Sequence, residues 1–147
     1  MAIDTSGRWR RGDGPRDIEE YLRAFTEDSY RIAHYRPCKC FCGGDQFILE
    51  RDTANQARRK CHECGMLHYI ADSEEYWEEE GQPERWKCVE CKIERCNVGV
   101  GYAGYEDDPT GIKWIYVGVR CAKCGVLGCY ADWKVALSEA LGLLDKA

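Results

Sequence analysis

Two stretches of the chain carry the same chemistry. Cys61-His-Glu-Cys64-Gly-Met-Leu-His-Tyr-Ile-Ala-Asp72 and Cys121-Ala-Lys-Cys124-Gly-Val-Leu-Gly-Cys-Tyr-Ala-Asp132 both read C-x-x-C-G-x-L-x-x-x-A-D, offset by 60 residues, from 61 to 121. Two residues between cysteines make a tight turn that aims both sulfurs and nearby backbone N–H groups at one ion. A glycine after the second cysteine relieves the strain of that turn. Each stretch is half of a four-ligand site. The other halves lie upstream, in Cys38-Lys-Cys40-Phe-Cys42-Gly-Gly and in Cys88-Val-Glu-Cys91. The chain therefore reads as a duplicated four-cysteine unit holding two structural Zn²⁺ ions. One set is Cys40, Cys42, Cys61 and Cys64, the other Cys88, Cys91, Cys121 and Cys124.

The repeat sorts the remaining thiols. Anchored at Cys42 and Cys91, Cys96 takes the place of Phe47; anchored at Cys64 and Cys124, Cys129 takes the place of Tyr69. Both replace a hydrophobe, so both are assigned to the core, where a thiol behaves as a small apolar group. Cys38 and Cys40 compete for one ligand position, since C-x-C and C-x-x-x-C both permit chelation; the compactness of the turn favours Cys40. His62 is an alternative ligand within the first site, but reads as an exposed turn residue. A thiol–disulfide pair belongs at a helix start after a strand. Here the pairs fall between strand-like segments, which favours metal. Iron in a similar paired-loop site is the other rival.

The elements that must position these cysteines are short. Gln46 to Arg51, Ala57 to Cys61 and Met66 to Ala71 read as strands of the first unit, with a turn at Thr53-Ala-Asn-Gln. Asn97 to Tyr102 and Lys113 to Arg120 are strands of the second, joined by a longer turn through Gly104–Gly111. Ile18, Tyr21, Leu22, Phe25, Ile32 and Ala33 recur at helical spacing, so residues 15–36 are expected to form an amphipathic helix on the first unit. Asp72 and Glu75 form a capping box for an acidic helical connector, and Asp132 sits at the matching place before a C-terminal helix with Trp133, Leu137, Leu141 and Leu144 on one face. The expected organisation is a flexible arm over 1–14, a helix over 15–36, metal units over 37–72 and 87–132, an acidic connector over 73–86 and a helix over 133–147.

Paired ligand turns joined through small antiparallel sheets resemble a zinc ribbon, over roughly residues 38–72 and 86–132. The resemblance rests on the cysteine spacing and on the glycines after Cys42, Cys64 and Cys124. It implies a small metal-stabilised α+β fold: two antiparallel zinc ribbons flanked by N-terminal, connecting and C-terminal helices. Ribbons serve transcription, translation, nucleases and protein docking alike, so no activity follows from the resemblance.

Composition narrows the function classes. Units of about 35 residues are too small for a self-sufficient core, and a metal staple is the expected remedy. The opening residues lack the apolar run of a signal peptide, and no 18-residue apolar run occurs, so a reduced cytoplasmic setting without membrane attachment is expected. The net charge is −5, and all of the excess lies in 73–86, with six Glu and one Arg. Four thiolates around each Zn²⁺ leave −2 per site, taking the loaded protein to about −9. That sign disfavours nucleic acid, which Arg8, Arg10, Arg11, Arg58, Arg59 and Lys60 would have to engage locally. It suits a protein partner with a basic surface, met by Glu74, Glu75, Glu78, Glu79, Glu80 and Glu84 around Tyr76, Trp77 and Trp86. One variant of this reading is an inhibitor or immunity protein covering a basic enzyme. No catalytic residues are expected: four cysteines close the metal shell, and H-E-x-x-H, P-loop, G-x-S-x-G and zinc-deaminase signatures are missing.

Overall fold

Alternating apolar residues dictate most of the chain. In a computed structural model, residues 3–7, 9–53, 55–71, 73–77, 81–104, 111–135 and 147 are described. The elements in order are β1 (Ile3–Asp4), β2 (Arg11–Gly12), α1 (Asp17–Phe25), β3 (Ile32–Pro37), β4 (Phe47–Arg51), β5 (Ala57–Cys61) and β6 (Leu67–Tyr69). They continue with α2 (Ser73–Tyr76), β7 (Glu84–Arg85), β8 (Arg95–Ala103), β9 (Trp114–Cys121) and β10 (Leu127–Lys134). β1 and β2 form a two-stranded sheet, joined to the start of β10 by a bridge between Arg11 and Val126. The rest form one antiparallel sheet in the order β10-β9-β8-β4-β5-β6, with β3 also on β8 and β7 also on β4.

The repeat seen in the sequence is a repeat of register. Phe47 faces Cys61 and Cys96 faces Cys121; Lys60 faces Leu67 and Arg120 faces Leu127. The two units meet at β4 and β8, where Phe47 and Cys96, equivalent positions of the two copies, are each other's partner. A local two-fold axis passes between them. Directly opposed side chains stand only about 5 Å apart, so one large and one small residue fill the space that two large ones would contest. Both are fully buried.

The units also exchange strands. β3, three to four residues before Cys40, pairs with β8 through Pro37↔Gly99 and Arg36↔Val100. β7, three to four residues before Cys88, pairs with β4 through Arg85↔Glu50 and Glu84↔Arg51. Equivalent lead-in strands thus lie on the opposite unit's first strand, at equivalent registers. The two copies share a core of Phe47, Leu49, Ile70, Val98, Val100, Tyr102, Ile115, Val117 and Trp133.

On the other face of β8 and β9 the strands alternate to glycine, and α1 lies in the resulting trough. A Cβ at Gly118 would stand 2.6 Å from Ile18 Cγ2 and 3.0 Å from Leu22 Cδ1. Ile18 and Leu22, one turn apart, are fully buried there, each contributing about 1.5–3 kcal/mol by its removal from water. Before the helix, the Asp17 carboxylate accepts the N–H groups of Asp13 (2.7 Å) and Gly14 (3.2 Å).

These findings overturn the expected α+β fold with three flanking helices. Among the described residues strand makes up 42%, and the only helices are the nine-residue α1 and the single turn of α2. The helix expected over 15–36 ends at Phe25, where Thr26 Oγ1 bonds the Leu22 carbonyl. Ile32 and Ala33, which fit a helical stripe, lie instead in β3, where Ile32 pairs with Ala103 of β8 and Ala33 sits at a bulge in the ladder. Asp132 caps no helix; it lies in β10 and accepts the Trp114 Nε1–H at 3.1 Å, and Trp133 and Lys134 continue the ladder with β9. The rest of the expected C-terminal helix, residues 136–146, lies outside the described residues, as do 78–80 of the connector and 105–110 of the long turn. The connector's described helix is the single turn of α2.

Substituting Gly118→Val should lift α1 from the sheet and cost about 1–3 kcal/mol. Thermal unfolding checks this, with Gly128→Ala, where an added Cβ meets nothing within 4 Å, expected to stay within about 0.5 kcal/mol of the parent.

Candidate metal centres

Each ligand turn is built by one hydrogen-bond pattern. The first cysteine's N–H donates to the carbonyl five residues on, and its carbonyl accepts from the N–H four residues on: Cys61 with Met66 and Gly65, Cys88 with Ile93 and Lys92, Cys121 with Val126 and Gly125. Cys40 makes the same turn one residue shorter, with Gly44 and Gly43. That identifies Cys40, rather than Cys38, as the counterpart of Cys88. Cys38 instead sits in the sheet, its N–H on the Val98 carbonyl at 2.9 Å.

The turn closes through a left-handed residue after the second cysteine. Gly43, Gly65 and Gly125 take φ of 93°, 78° and 83° there; in the fourth turn Lys92 takes φ 67°. A side chain in this region costs roughly 1–2 kcal/mol.

Pairing β4 with β5 and β8 with β9 brings each upstream turn against its downstream partner. The sulfurs of Cys40, Cys42, Cys61 and Cys64 lie within 4.8 Å of one another, as do those of Cys88, Cys91, Cys121 and Cys124. The closest pairs are Cys40–Cys64 at 3.4 Å, Cys42–Cys61 at 3.6 Å, Cys88–Cys124 at 3.4 Å and Cys91–Cys121 at 3.4 Å. Four sulfurs about 2.3 Å from a tetrahedral ion stand about 3.8 Å apart, whereas a disulfide requires about 2.05 Å. Both clusters could hold a metal ion. Backbone N–H groups lower one thiol of each cluster, while burial pushes Cys121 up to about 12 and the neighbouring thiols push Cys42 up to about 12. The N–H groups of Cys64 and Glu63 hold the Cys61 thiol down to about 7, and that of Ile93 holds Cys91 down to about 7.

The other three cysteines lie outside both clusters. Cys96 is fully buried with its thiol on the Phe47 carbonyl at 3.4 Å. Burial raises its pKa, and pushes Cys38 up to about 11 and Cys129 up to about 12. His62 is exposed on its turn.

The two centres differ in what covers them. The second carries the N-terminal segment, expected from composition to be a flexible arm. The Gly12 N–H donates to the Gly125 carbonyl (2.8 Å), the Leu127 N–H donates to the Arg10 carbonyl (2.8 Å), and Arg11 bridges to Val126. The Arg11 guanidinium bonds the Cys124 carbonyl at 3.2 Å and approaches Glu90 at 3.7 Å, while Trp9 packs beside Val126. The Arg120 guanidinium holds the Gly12 and Asp13 carbonyls from below. Sequence reasoning missed this, although the basic run Arg10-Arg11 against the bare turn carbonyls of a negatively charged site was a signal. The first centre has no such cover among the described residues. Phe41, inside the Cys40–Cys42 turn, is 96% exposed, and Met66 and Leu67, the counterparts of buried Val126 and Leu127, are 49% and 44% exposed.

Some of the charged groups noted in the sequence are engaged within the fold. Arg58 pairs with Glu50 at 2.9 Å and stacks on Trp77; Arg59 is 5% exposed, over the Phe47 ring. Glu84 pairs with Arg51 at 2.8 Å. Trp77 also packs edge-on against Tyr69, and Trp86 packs against the core.

Native mass spectrometry should find two metal ions per chain, one after Cys64→Ser, and two after Cys38→Ser or Cys96→Ser. Because each ligand must shed its proton, acid competes with the metal; retention should fall as pH falls, with more than one proton taken up per ion released, which a chelator titration would read. Lys92→Gly should raise stability by about 1 kcal/mol through relief of its left-handed backbone, measurable by denaturant unfolding of the metal-loaded protein. Comparison with protein-family models, with curated proteins and with solved structures found no match for this chain.

Proposed function

We propose that the chain is a non-catalytic protein-binding module whose two zinc ions are purely structural, in the manner of tandem zinc ribbons. The observation that carries this reading is the contrast within the first centre. Four cysteines would close its metal shell and leave no position for a reacting water, yet Phe41, Met66 and Leu67 beside it are each exposed. Exposed apolar groups beside a metal turn suit burial against a partner. Zinc suits an all-thiolate set of this size better than the harder divalent ions. Reduced thiols at this density suit a cytoplasmic setting.

The charge supports a partner with a basic surface, such as an enzyme that this chain inhibits. The acidic residues of 73–86 would then steer association, while anchoring falls to the rim of the first centre, because Trp77 and Trp86 are engaged internally. A nucleic-acid reading is weaker. Of its basic residues, Arg58 is neutralised, Arg59 is buried and Arg11 is committed to the second centre.

The test uses the metal-loaded chain as bait, followed by kinetics with the recovered partner. Replacing the six Glu of 73–86 by Gln should slow association about tenfold at low salt and leave it little changed at high salt. An unchanged rate at low salt removes the steering argument. Salt-sensitive binding of oligonucleotides at micromolar affinity would favour nucleic acid instead.

A further inference from the structure

The duplication supplies its own comparison. In the second copy, the strand leaving the metal turn is paired on its outer side by an extended segment, residues 10–12. There the Leu127 N–H and the Gly125 carbonyl point away from β9 and are taken by Arg10 and Gly12. In the first copy the same groups belong to Leu67 and Gly65. The register of β5 with β6 matches that of β9 with β10, and Cys61 bonds Met66 as Cys121 bonds Val126. The Leu67 N–H and the Gly65 carbonyl therefore point away from β5, where β6 has no other strand among the described residues. An added Cβ at Gly125 would stand 2.6 Å from the Gly12 carbonyl oxygen, inside the docked segment; one at Gly65, at nearly the same φ, meets only Lys60 Cε at 4.0 Å.

We propose that this outer edge of the first centre is a strand-docking site, taken by an extended segment of another protein. The proposal rests on the protein-binding reading above and deepens it by naming the surface. The segment runs antiparallel to Gly65–Leu67, accepting a hydrogen bond from the Leu67 N–H and donating one to the Gly65 carbonyl, as residues 10–12 do on the second copy. Main-chain pairing of this kind gives affinity, and the side chains on alternate positions give selectivity.

The two copies differ where selectivity would lie. Arg11 meets Glu90 and the Cys124 carbonyl in the second centre. In the shorter first turn, Phe41 is the single residue between the cysteines, and no carboxylate stands in the place of Glu90. The residue opposite Met66 is therefore apolar in the partner, lying against Phe41. Docking would cover Cys42 and Cys64, which are exposed while their counterparts Cys91 and Cys124 are half-buried.

The probe is a synthetic peptide of residues 6–14 with Arg11→Leu, added at up to millimolar concentration to the zinc-loaded, ¹⁵N-labelled full chain. The expected result is amide shifts at Gly65, Met66 and Leu67, with the unaltered peptide binding about tenfold more weakly, the effect of about 1.4 kcal/mol. Leu67→Pro removes the docking donor at an edge position that tolerates proline, and should abolish the shifts while two zinc ions are retained. Met66→Glu should do the same by placing a charge on the apolar rim. No shift at 65–67, or an affinity unchanged by Leu67→Pro, overturns the proposal. So does a concentration-dependent dimer that Leu67→Pro dissolves, which would assign the edge to a second copy of this chain. A natural partner retained equally by the Leu67→Pro variant would overturn the edge while leaving the protein-binding reading standing.

Discussion

Neither four-cysteine unit completes its own sheet, and the rest of the structure follows from that. β3 belongs by sequence to the first unit but pairs with β8; β7 leads into the second but pairs with β4. With the direct pairing of Phe47 and Cys96, these exchanges turn two small ribbons into one sheet with one core. A unit of some 35 residues buries too little apolar surface to hold itself together. Two units sharing a core and each stapled by a four-sulfur cluster overcome that limit in two ways at once.

The two four-cysteine clusters were legible because the spacing that brings such sulfurs together is local, and local spacing is written in the chain. Strands β4, β8 and β9 were legible for the same reason, from their strand-forming residues, and β5 as the return after the turn that follows β4. Partnership was not. β7 is two residues long and β3 is polar at its far end, so nothing in either announces a strand; each exists because the other unit offers an edge. Ile32 and Ala33 matched a helical stripe by coincidence, and the pull of the β8 ladder decided their conformation. Trp133 likewise fits a helix face and a strand face equally, and β9 settled it. The glycines of Val-Gly-Val-Gly were visible as strand residues, but that they form a trough for α1 depended on where the helix docks.

The duplication has diverged in an orderly way. Elements near the two-fold axis keep their register, while the outer surfaces have separated in role. One turn is a residue shorter and carries Phe41; its counterpart has a covering segment and the Arg11–Glu90 contact. Lys92 takes the left-handed backbone of the other three turns without their glycine, so the geometry of the turn does not depend on the residue best suited to it.

Synthesis order gives the strand exchange a further meaning. β3 is made long before its partner: Ile32 pairs with Ala103 and Pro37 with Gly99, across a gap of more than sixty residues. At 5–20 residues per second, that gap corresponds to about 3–12 s of translation. Throughout it, α1 holds Ile18 and Leu22 without the β8–β9 trough that later buries them. The first metal centre lacks nothing in sequence once Cys64 is made, so it can load on the nascent chain while the helix before it waits. A chain made as far as Cys64 thus holds every cysteine of its first cluster but neither of the strands, β8 and β9, that bury α1.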